Sequence, residues 1–335
     1  MYKVAVVGAT GAVGMQMVKV LEERGFPVEK LFLVASERSV GRKITFKGEE
    51  HEVVALKGFD FSAVDVALFS AGSSVSKEYA PKAADAGCVV VDNSSAFRMN
   101  DDVPLVVPEV NPQDVDWHRG IIANPNCSTI QMVVALNPLH RINRIKKIVV
   151  STYQAVSGKG LKAMEELRVQ SADVLSGKGV VPKEFPYQIA FNVLPHIDVF
   201  VEDGYTKEEM KMLNETRKIM GDHEIDVAAT TVRVPVFVGH SESVWVKFED
   251  EMSVDRVKEI LMRAEGVVVV DEPSAERYPL AVDVAGRDEV FVGRIRRDLN
   301  DPSAVLMWVV ADNLRKGAAT NAVQIAELLV KRGKI

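Results

Sequence analysis

Cys127 lies in Gly120-Ile121-Ile122-Ala123-Asn124-Pro125-Asn126-Cys127-Ser128-Thr129-Ile130, where a short apolar strand hands over to a helix. Backbone N–H groups and the positive dipole end at a helix N-terminus favour thiolate over thiol, which supplies a nucleophile near neutral pH. Free cysteine is also among the side chains most often buried as small hydrophobes, so chain position alone leaves both readings open. The other cysteine, Cys88, sits in the buried-strand pattern Gly87-Cys88-Val89-Val90-Val91-Asp92 and reads as structural. The two are far apart with no CxxC spacing, so neither a disulfide framework nor a metal site is indicated.

A second chemical signal stands at the start of the chain. Gly8-Ala9-Thr10-Gly11-Ala12-Val13-Gly14 follows a strand and opens a helix, the context a dinucleotide fingerprint requires, with the spacing G-x-x-G-x-x-G. Gly8, Gly11 and Gly14 permit a tight turn, close backbone approach to a pyrophosphate and helix-on-strand packing, while the helix N-terminus faces the anion. At the end of the second strand an NAD site carries an acid for the ribose 2′-hydroxyl. This chain has Ala35-Ser36-Glu37-Arg38-Ser39 there, and Ser36, Arg38 and Ser39 can donate hydrogen bonds and charge to a 2′-phosphate, which favours NADP. Glu37 keeps the alternative open, since it can accept from a 2′-hydroxyl.

The elements that must hold these groups follow from the apolar pattern. Short strands at Val4–Val7, Leu31–Ala35, Val64–Ser70, Val89–Asp92 and Ile121–Ala123 alternate with helices at about 12–24 and 75–86, which predicts an α/β Rossmann-type doubly wound parallel sheet. After Cys127 the strands lengthen (Lys146–Tyr153, Val227–Val238, Ser243–Phe248, Val290–Ile295, Ala304–Val310) and predict a second, α+β domain on a mixed or antiparallel sheet. Thr206 with acids in the following turn and bases later predicts a capped helix over 207–219, and Ala318–Lys331 a C-terminal helix. At 335 residues two domains are expected. The boundaries read as 1–127, completed by 313–335, and 128–312. A net charge of −6 gives no footprint for nucleic acid or an anionic membrane, and no apolar run spans a bilayer, so the chain reads as soluble and cytoplasmic.

A reactive thiol working with a nicotinamide implies aldehyde oxidation through a thioester, or the reverse reduction of an activated acyl group. At this point the chain closely resembles the bacterial aspartate-β-semialdehyde dehydrogenase family. The resemblance rests on GATGAVG (8–14), SSAFRM (94–99), NPNCST (124–129), TYQAVSGKG (152–160), EEMKMLNETRKI (208–219), RVPVFVGHSE (233–242) and NAVQIAE (321–327), in that order along essentially the whole chain. It implies NADPH-dependent reduction of β-aspartyl phosphate with release of phosphate, on the branch leading to lysine by way of diaminopimelate, and to threonine, methionine and isoleucine. It also implies a homodimer or homotetramer, a dimer first of all, joined through the second domain.

Residue by residue, the resemblance makes Cys127 the nucleophile, His240 the acid/base at the tetrahedral oxygen and Gln154 the amide that orients the acyl group. Asn126 helps fix the thiolate and phosphate region, Arg233 binds the substrate carboxylate, Arg98 and Lys211 the phosphate, and Glu208 the substrate amino group. Thr10, Ala12, Val13, Ser70, Gly72, Ser157, Gly158 and Asn321 match positions lining the cofactor. From the residues alone His240 reads equally well as a strand-end surface histidine, and Glu208 and Lys211, three apart on one helix face, as a surface ion pair. Lys159 departs from the small residue the family often carries in the 157–160 loop.

Three rivals remain at this stage. An N-acetylglutamyl-phosphate reductase has a similar cysteine but no need of an acid such as Glu208. Glyceraldehyde-3-phosphate dehydrogenase fits the NCST and 233–240 segments poorly. A non-catalytic NADP-binding redox sensor switched by Cys127 requires neither His240, Arg233 nor Gln154.

Overall fold

The computed structural model describes residues 1–335. The chain divides into two compact units, Met1–Asn126 with Ala318–Ile335, and Cys127–Gly317. The second crossing falls later than the sequence suggests because Asp312 holds the segment after it: its carboxylate accepts from the N–H groups of Leu314 (2.8 Å) and Arg315 (3.1 Å), and its main-chain oxygen from that of Gly317 (3.0 Å).

In the first unit the order is β1 (Tyr2–Val7), α1 (Ala12–Glu23), β2 (Val28–Ala35), β3 (Lys43–Phe46), β4 (Glu49–Ala55), β5 (Val66–Phe69), α2 (Ser73–Asp85), β6 (Val89–Asp92) and β7 (Ile121–Ala123), closed by the C-terminal helix Thr320–Lys331. One seven-stranded sheet runs β3-β4-β2-β1-β5-β6-β7, parallel except for the β3–β4 pair. Alternate residues of β1 bury to opposite faces. Val4 and Val6 join a core with Met17 and Leu21 of α1 and Val323 and Ala326 of the C-terminal helix, while Ala5 and Val7 join one with Ala80 and Ala83 of α2. Covering both faces is what makes parallel strands continuously apolar. The β3–β4 hairpin is absent from the sequence reading; Lys43, Glu49, Glu50 and Glu52 interrupt its apolar residues, and its turn is made by Lys47 (φ 51°) and Gly48 (φ 80°), the paired left-handed residues of a type I′ turn. Because β1 lies between β2 and β5, the strand order reverses there, and ligands of such sheets bind beyond the strand ends at that point.

The second unit runs α3 (Cys127–His140), β8 (Ile145–Gln154), α4 (Leu161–Leu175), α5 (Lys207–Met220), β9 (Asp226–Arg233), β10 (His240–Phe248), α6 (Val254–Met262), β11 (Val267–Val269), α7 (Ala281–Val284), β12 (Val290–Arg297) and β13 (Ala304–Ala311). Its sheet is mixed, β11-β12-β13-β10-β8-β9, with β8–β9 and β11–β12 parallel. Along β10, His240, Glu242, Val244, Val246 and Phe248 all bury on one face, the one α3 packs against. The opposite face keeps Val149, Tyr153, Trp245, Leu306 and Trp308 partly exposed. α5 opens on the expected cap: Thr206 Oγ1 accepts from the Glu209 N–H, and the Glu209 carboxylate accepts from the Thr206 N–H. The expected strand 227–238 stops at Arg233, with Pro235 just beyond.

Candidate active site

The glycine turn leaves β1 at the switch point. Gly8 has φ +89°, and a Cβ there would lie 2.6 Å from the Ser70 carbonyl oxygen; a Cβ on Gly14 would lie 2.1 Å from that of Gly8. Only hydrogen fits at either position, so the turn presents bare backbone directly before α1, which Gly11 precedes and Ala12, Val13 and Gly14 begin. That is the cradle a pyrophosphate needs. Thr10 and Ser39 join their hydroxyls at 3.2 Å, tying this turn to the short helical turn Glu37–Ser39 after β2; Ser36 and Arg38 are exposed beside it. The Ser70 N–H donates to Val7 O at 2.7 Å, and Gly72 (φ +88°) leads into α2.

Also in the first unit, the buried Arg98 guanidinium donates from Nε to Asn124 O (2.9 Å) and from Nη2 to Asn93 O (2.9 Å), which fixes it at the ends of β6 and β7. Asn321 is fully buried, with its Nδ2 donating to Val106 O (3.0 Å) and Asn124 Oδ1 (2.7 Å). Its contacts support Asn124, two residues before Asn126; they do not present its amide nitrogen to a ligand.

In the second unit, three of the predicted residues stand side by side on adjacent strands. Gln154 of β8 pairs with Arg233 of β9, and His240 of β10 lies one residue beyond the Ser241–Tyr153 pair, so its neighbour across the sheet is again Gln154. All three are buried, His240 completely, which rules out the surface-histidine reading. The Ala155 N–H donates to His240 Nδ1 at 3.0 Å. A neutral ring that accepts at Nδ1 carries its proton on Nε2, an assignment that rests on this hydrogen bond. Gln154 is oriented likewise: its Oε1 accepts from Thr152 Oγ1 (3.0 Å) and its Nε2 donates to Glu208 Oε1 (3.1 Å). Gln154 Nε2 and His240 Nε2 therefore stand 3.4 Å apart as two donors. They do not satisfy each other, and an acceptor placed between them receives both.

Arg233 Nη1 donates to Ala155 O at 2.6 Å, and its backbone exchanges two hydrogen bonds with Leu194. Burial pulls its guanidinium below the ordinary arginine range, against the attraction of Glu208 and of Cys127. Burial, with the Arg233 charge, likewise holds His240 well below the usual histidine range, so it is neutral at pH 7. Glu208 is almost fully buried at the start of α5 and meets Lys211 Nζ at 3.1 Å. The spacing is that of a surface pair; the burial is not. Lys211 also reaches Asp198 at 2.8 Å, and the two carboxylates outweigh burial and raise its pKa. Cys127 begins α3 and is partly exposed, and Gly317 lies so close that a Cβ there would sit 2.9 Å from Cys127 Cβ. Cys88, by contrast, is buried, and burial pushes its thiol up to about 12.

Thus one unit brings together Gln154, His240, Arg233, Glu208, Lys211 and Cys127, and the other holds the glycine turn, Arg98, Asn126 and Asn321. Ser157 is buried against Asn313, whose Nδ2 donates to Ser157 Oγ at 2.9 Å and whose Oδ1 also accepts from the Gly239 N–H. Gly158 adjoins Arg233 and His240. The sequence reading misses Ala155, whose N–H sets the histidine tautomer through its backbone and so leaves no side-chain signal. It also misses Asp198, which lies 13 residues from Lys211 in an irregular segment.

Residues 3–118 match the family described as semialdehyde dehydrogenase, NAD binding domain, and residues 136–316 the one described as semialdehyde dehydrogenase, dimerisation domain. The chain is 63% identical over 339 residues to an aspartate-semialdehyde dehydrogenase of Aquifex aeolicus, covering 100% of this chain and 99% of that one. The chain belongs to the aspartate-semialdehyde dehydrogenase family. Among solved structures, aspartate semialdehyde dehydrogenase II of Vibrio cholerae, complexed with ASA, superposes with a TM-score of 0.97 at 51% identity, covering 99% of this chain and 98% of that one. A more distant family member from Candida albicans, solved with NADP, gives 0.77 at 27% identity over the full length of both chains. The family thus supplies a nucleotide-binding first domain and a dimerisation domain, and no helix here is long and apolar enough to cross a membrane.

Proposed function

We propose that this chain reduces β-aspartyl phosphate to aspartate β-semialdehyde with NADPH, releasing phosphate, and runs the reverse oxidation through a thioester on Cys127. The observation that carries this reading is the pair of converging donors, Gln154 Nε2 and His240 Nε2, 3.4 Å apart in the same buried row as Arg233. Donors preorganised in a dry site are what a tetrahedral oxyanion needs.

In the oxidative direction Cys127 Sγ bonds to the aldehyde carbon and the carbonyl π pair moves onto oxygen, where Gln154 and His240 donate to it. A bound nicotinamide supplies hydride exchange at that carbon. The oxyanion's electrons then restore the carbonyl, giving a thioester; with its proton already on Nε2, His240 serves here as a hydrogen-bond donor to that oxygen in place of the acid/base role the family resemblance implies. A phosphate oxygen attacks next, the new oxyanion rests between the same donors, and its collapse breaks the C–S bond. The thiolate returns, the acyl phosphate leaves, and the phosphate proton passes to solvent.

Arg233 grips the α-carboxylate with a planar fork. Glu208, buried beside Gln154, takes the α-ammonium; this favours a free amine over the acetylated one of the rival reductase. Lys211 and Arg98 bind phosphate, and Asn126 steadies the thiolate region. Ser157 and Gly158 line the nicotinamide side, and Ser36, Arg38 and Ser39 select NADP over NAD through the 2′-phosphate. Two copies pair as a homodimer through the open face of the second sheet, where Tyr153 and Trp308 rings sit 5.4 Å apart among Val149, Trp245 and Leu306. The work is done in the cytoplasm, where both thiols stay reduced.

The test follows NADP reduction with aspartate semialdehyde, N-acetylglutamate semialdehyde and glyceraldehyde 3-phosphate, each with and without phosphate. Turnover with aspartate semialdehyde alone, and only with phosphate, is expected. No turnover with it, or equal rates without phosphate, sinks the reading.

A further inference from the structure

Two residues along from the catalytic row, the same three strands carry a second polar row. Glu242 of β10 pairs with Thr152 of β8, which pairs with Thr231 of β9, and all three are completely buried. Thr152 already serves the row above, since its hydroxyl orients Gln154. Glu242 has no such evident task, and a fully buried carboxyl without one is costly.

Gln131 supplies the missing connection. It is buried on α3, four residues after Cys127 and therefore one turn along the same helix face. Its Nε2 donates to the main-chain oxygen of His240 at 3.4 Å, and its Oε1 has no partner. Neither carboxyl oxygen of Glu242 has a well-formed hydrogen bond, although the Gln131 amide is the polar group acting on it. Burial holds the Glu242 carboxyl well above the ordinary glutamate range, and the Gln131 amide only partly opposes this. A carboxylate here adds a buried charge and can only accept. A carboxylic acid instead brings the one O–H that the vacant Gln131 acceptor matches.

We infer that Glu242 is a positioning residue of the reaction: a buried neutral acid that, through Gln131, fixes the helix bearing Cys127 against the strand bearing His240. The two tiers correspond, Cys127 above Gln131 on the helix and His240 above Glu242 on the strand. Glu242 touches no reacting atom; it sets the distance between two residues that do. This rests on the roles given above to Cys127 and His240.

The test compares Glu242→Leu, Glu242→Gln and Gln131→Leu. Glu242→Leu and Gln131→Leu are each expected to lose roughly tenfold to a hundredfold in kcat, the scale of a sub-ångström misplacement, with KM for NADP unchanged. Glu242→Gln keeps a neutral donor at the same place and restores most of kcat. Equal loss in Glu242→Gln and Glu242→Leu overturns the neutral-donor role, and wild-type kcat in Glu242→Leu overturns positioning. Iodoacetamide labelling of Cys127 needs no substrate, so it distinguishes failure of this inference from failure of the proposed reaction: the two leucine variants change its rate and pH profile, and an unchanged profile refutes the link. Infrared difference spectra of wild type against Glu242→Gln serve even where the leucine variants do not fold. A protonated carboxylic C=O band at neutral pH is expected, and its absence overturns the inference.

Discussion

Replacing Gly158 by alanine tests the catalytic row at its most crowded point. The new Cβ would meet Arg233 Nη1 at 2.9 Å and His240 Cε1 and Nε2 at 3.4 Å, and Gly158 does not have a positive φ, so its backbone accepts alanine. Arg233 is the group that must yield, by about 0.5 Å to regain ordinary contact. Its room is small, because Nη1 already donates to Ala155 O at 2.6 Å and its backbone is pinned by Leu194. Overpacking of this kind costs about 1–3 kcal/mol. A displacement of half an ångström in a substrate-gripping fork, against the hundredfold or so that a full ångström can cost, predicts about a tenfold fall in kcat/KM for aspartate semialdehyde. Gly160→Ala is the matched control. With φ +97° and nothing within 4 Å, it strains the backbone by about 1–3 kcal/mol but pushes on no side chain. Steady-state kinetics and thermal unfolding of both variants decide the matter: similar losses of Tm are expected, with the kinetic loss confined to Gly158→Ala. Unchanged kcat/KM in Gly158→Ala, or an equal loss in Gly160→Ala, refutes the reasoning.

Two further predictions follow from the same row. His240 stays neutral when folded but takes up a proton near pH 6.5 when unfolded, so its contribution to stability is complete above that pH and is lost as the pH falls below it. Denaturant titrations should show a stability decline from about pH 6.5 to 5 that is smaller in His240→Asn; an identical decline removes His240 as its source. Arg233→Lys trades a fork for a point charge and should raise KM for aspartate semialdehyde about tenfold or more while leaving KM for NADP alone. Equal substrate KM in wild type and variant takes the carboxylate role from Arg233.

What could be read in advance divides along physical lines. The glycine turn was legible because its function is local: strand, turn and helix lie within a dozen residues, and the steric need for hydrogen at Gly8 and Gly14 is met inside that stretch. Cys127 was legible as a helix start for the same reason. The row of Gln154, Arg233 and His240 was not legible from the residues, since it exists only through the pairing of strands 79 and 86 residues apart from β8. Only the family resemblance supplied it. Glu208 and Lys211 show the converse failure, where correct helical spacing suggested a solvated pair because spacing carries no information about burial. The β3–β4 hairpin escaped because Lys43, Glu49, Glu50 and Glu52 interrupt the apolar run that marks the other strands of that sheet.

The catalytic row also bears on how this protein can change over evolutionary time. Its three side chains point the same way because each strand's alternation is in phase with its neighbours, and the alternation has a period of two. Inserting or deleting a single residue within β8, β9 or β10 would turn that strand's contribution to the opposite face while leaving composition and length almost untouched. Length variation among descendants of this sequence should therefore be strongly depleted inside 145–154, 226–233 and 240–248. It should gather in the exposed connections, such as 177–183, where no register has to be kept.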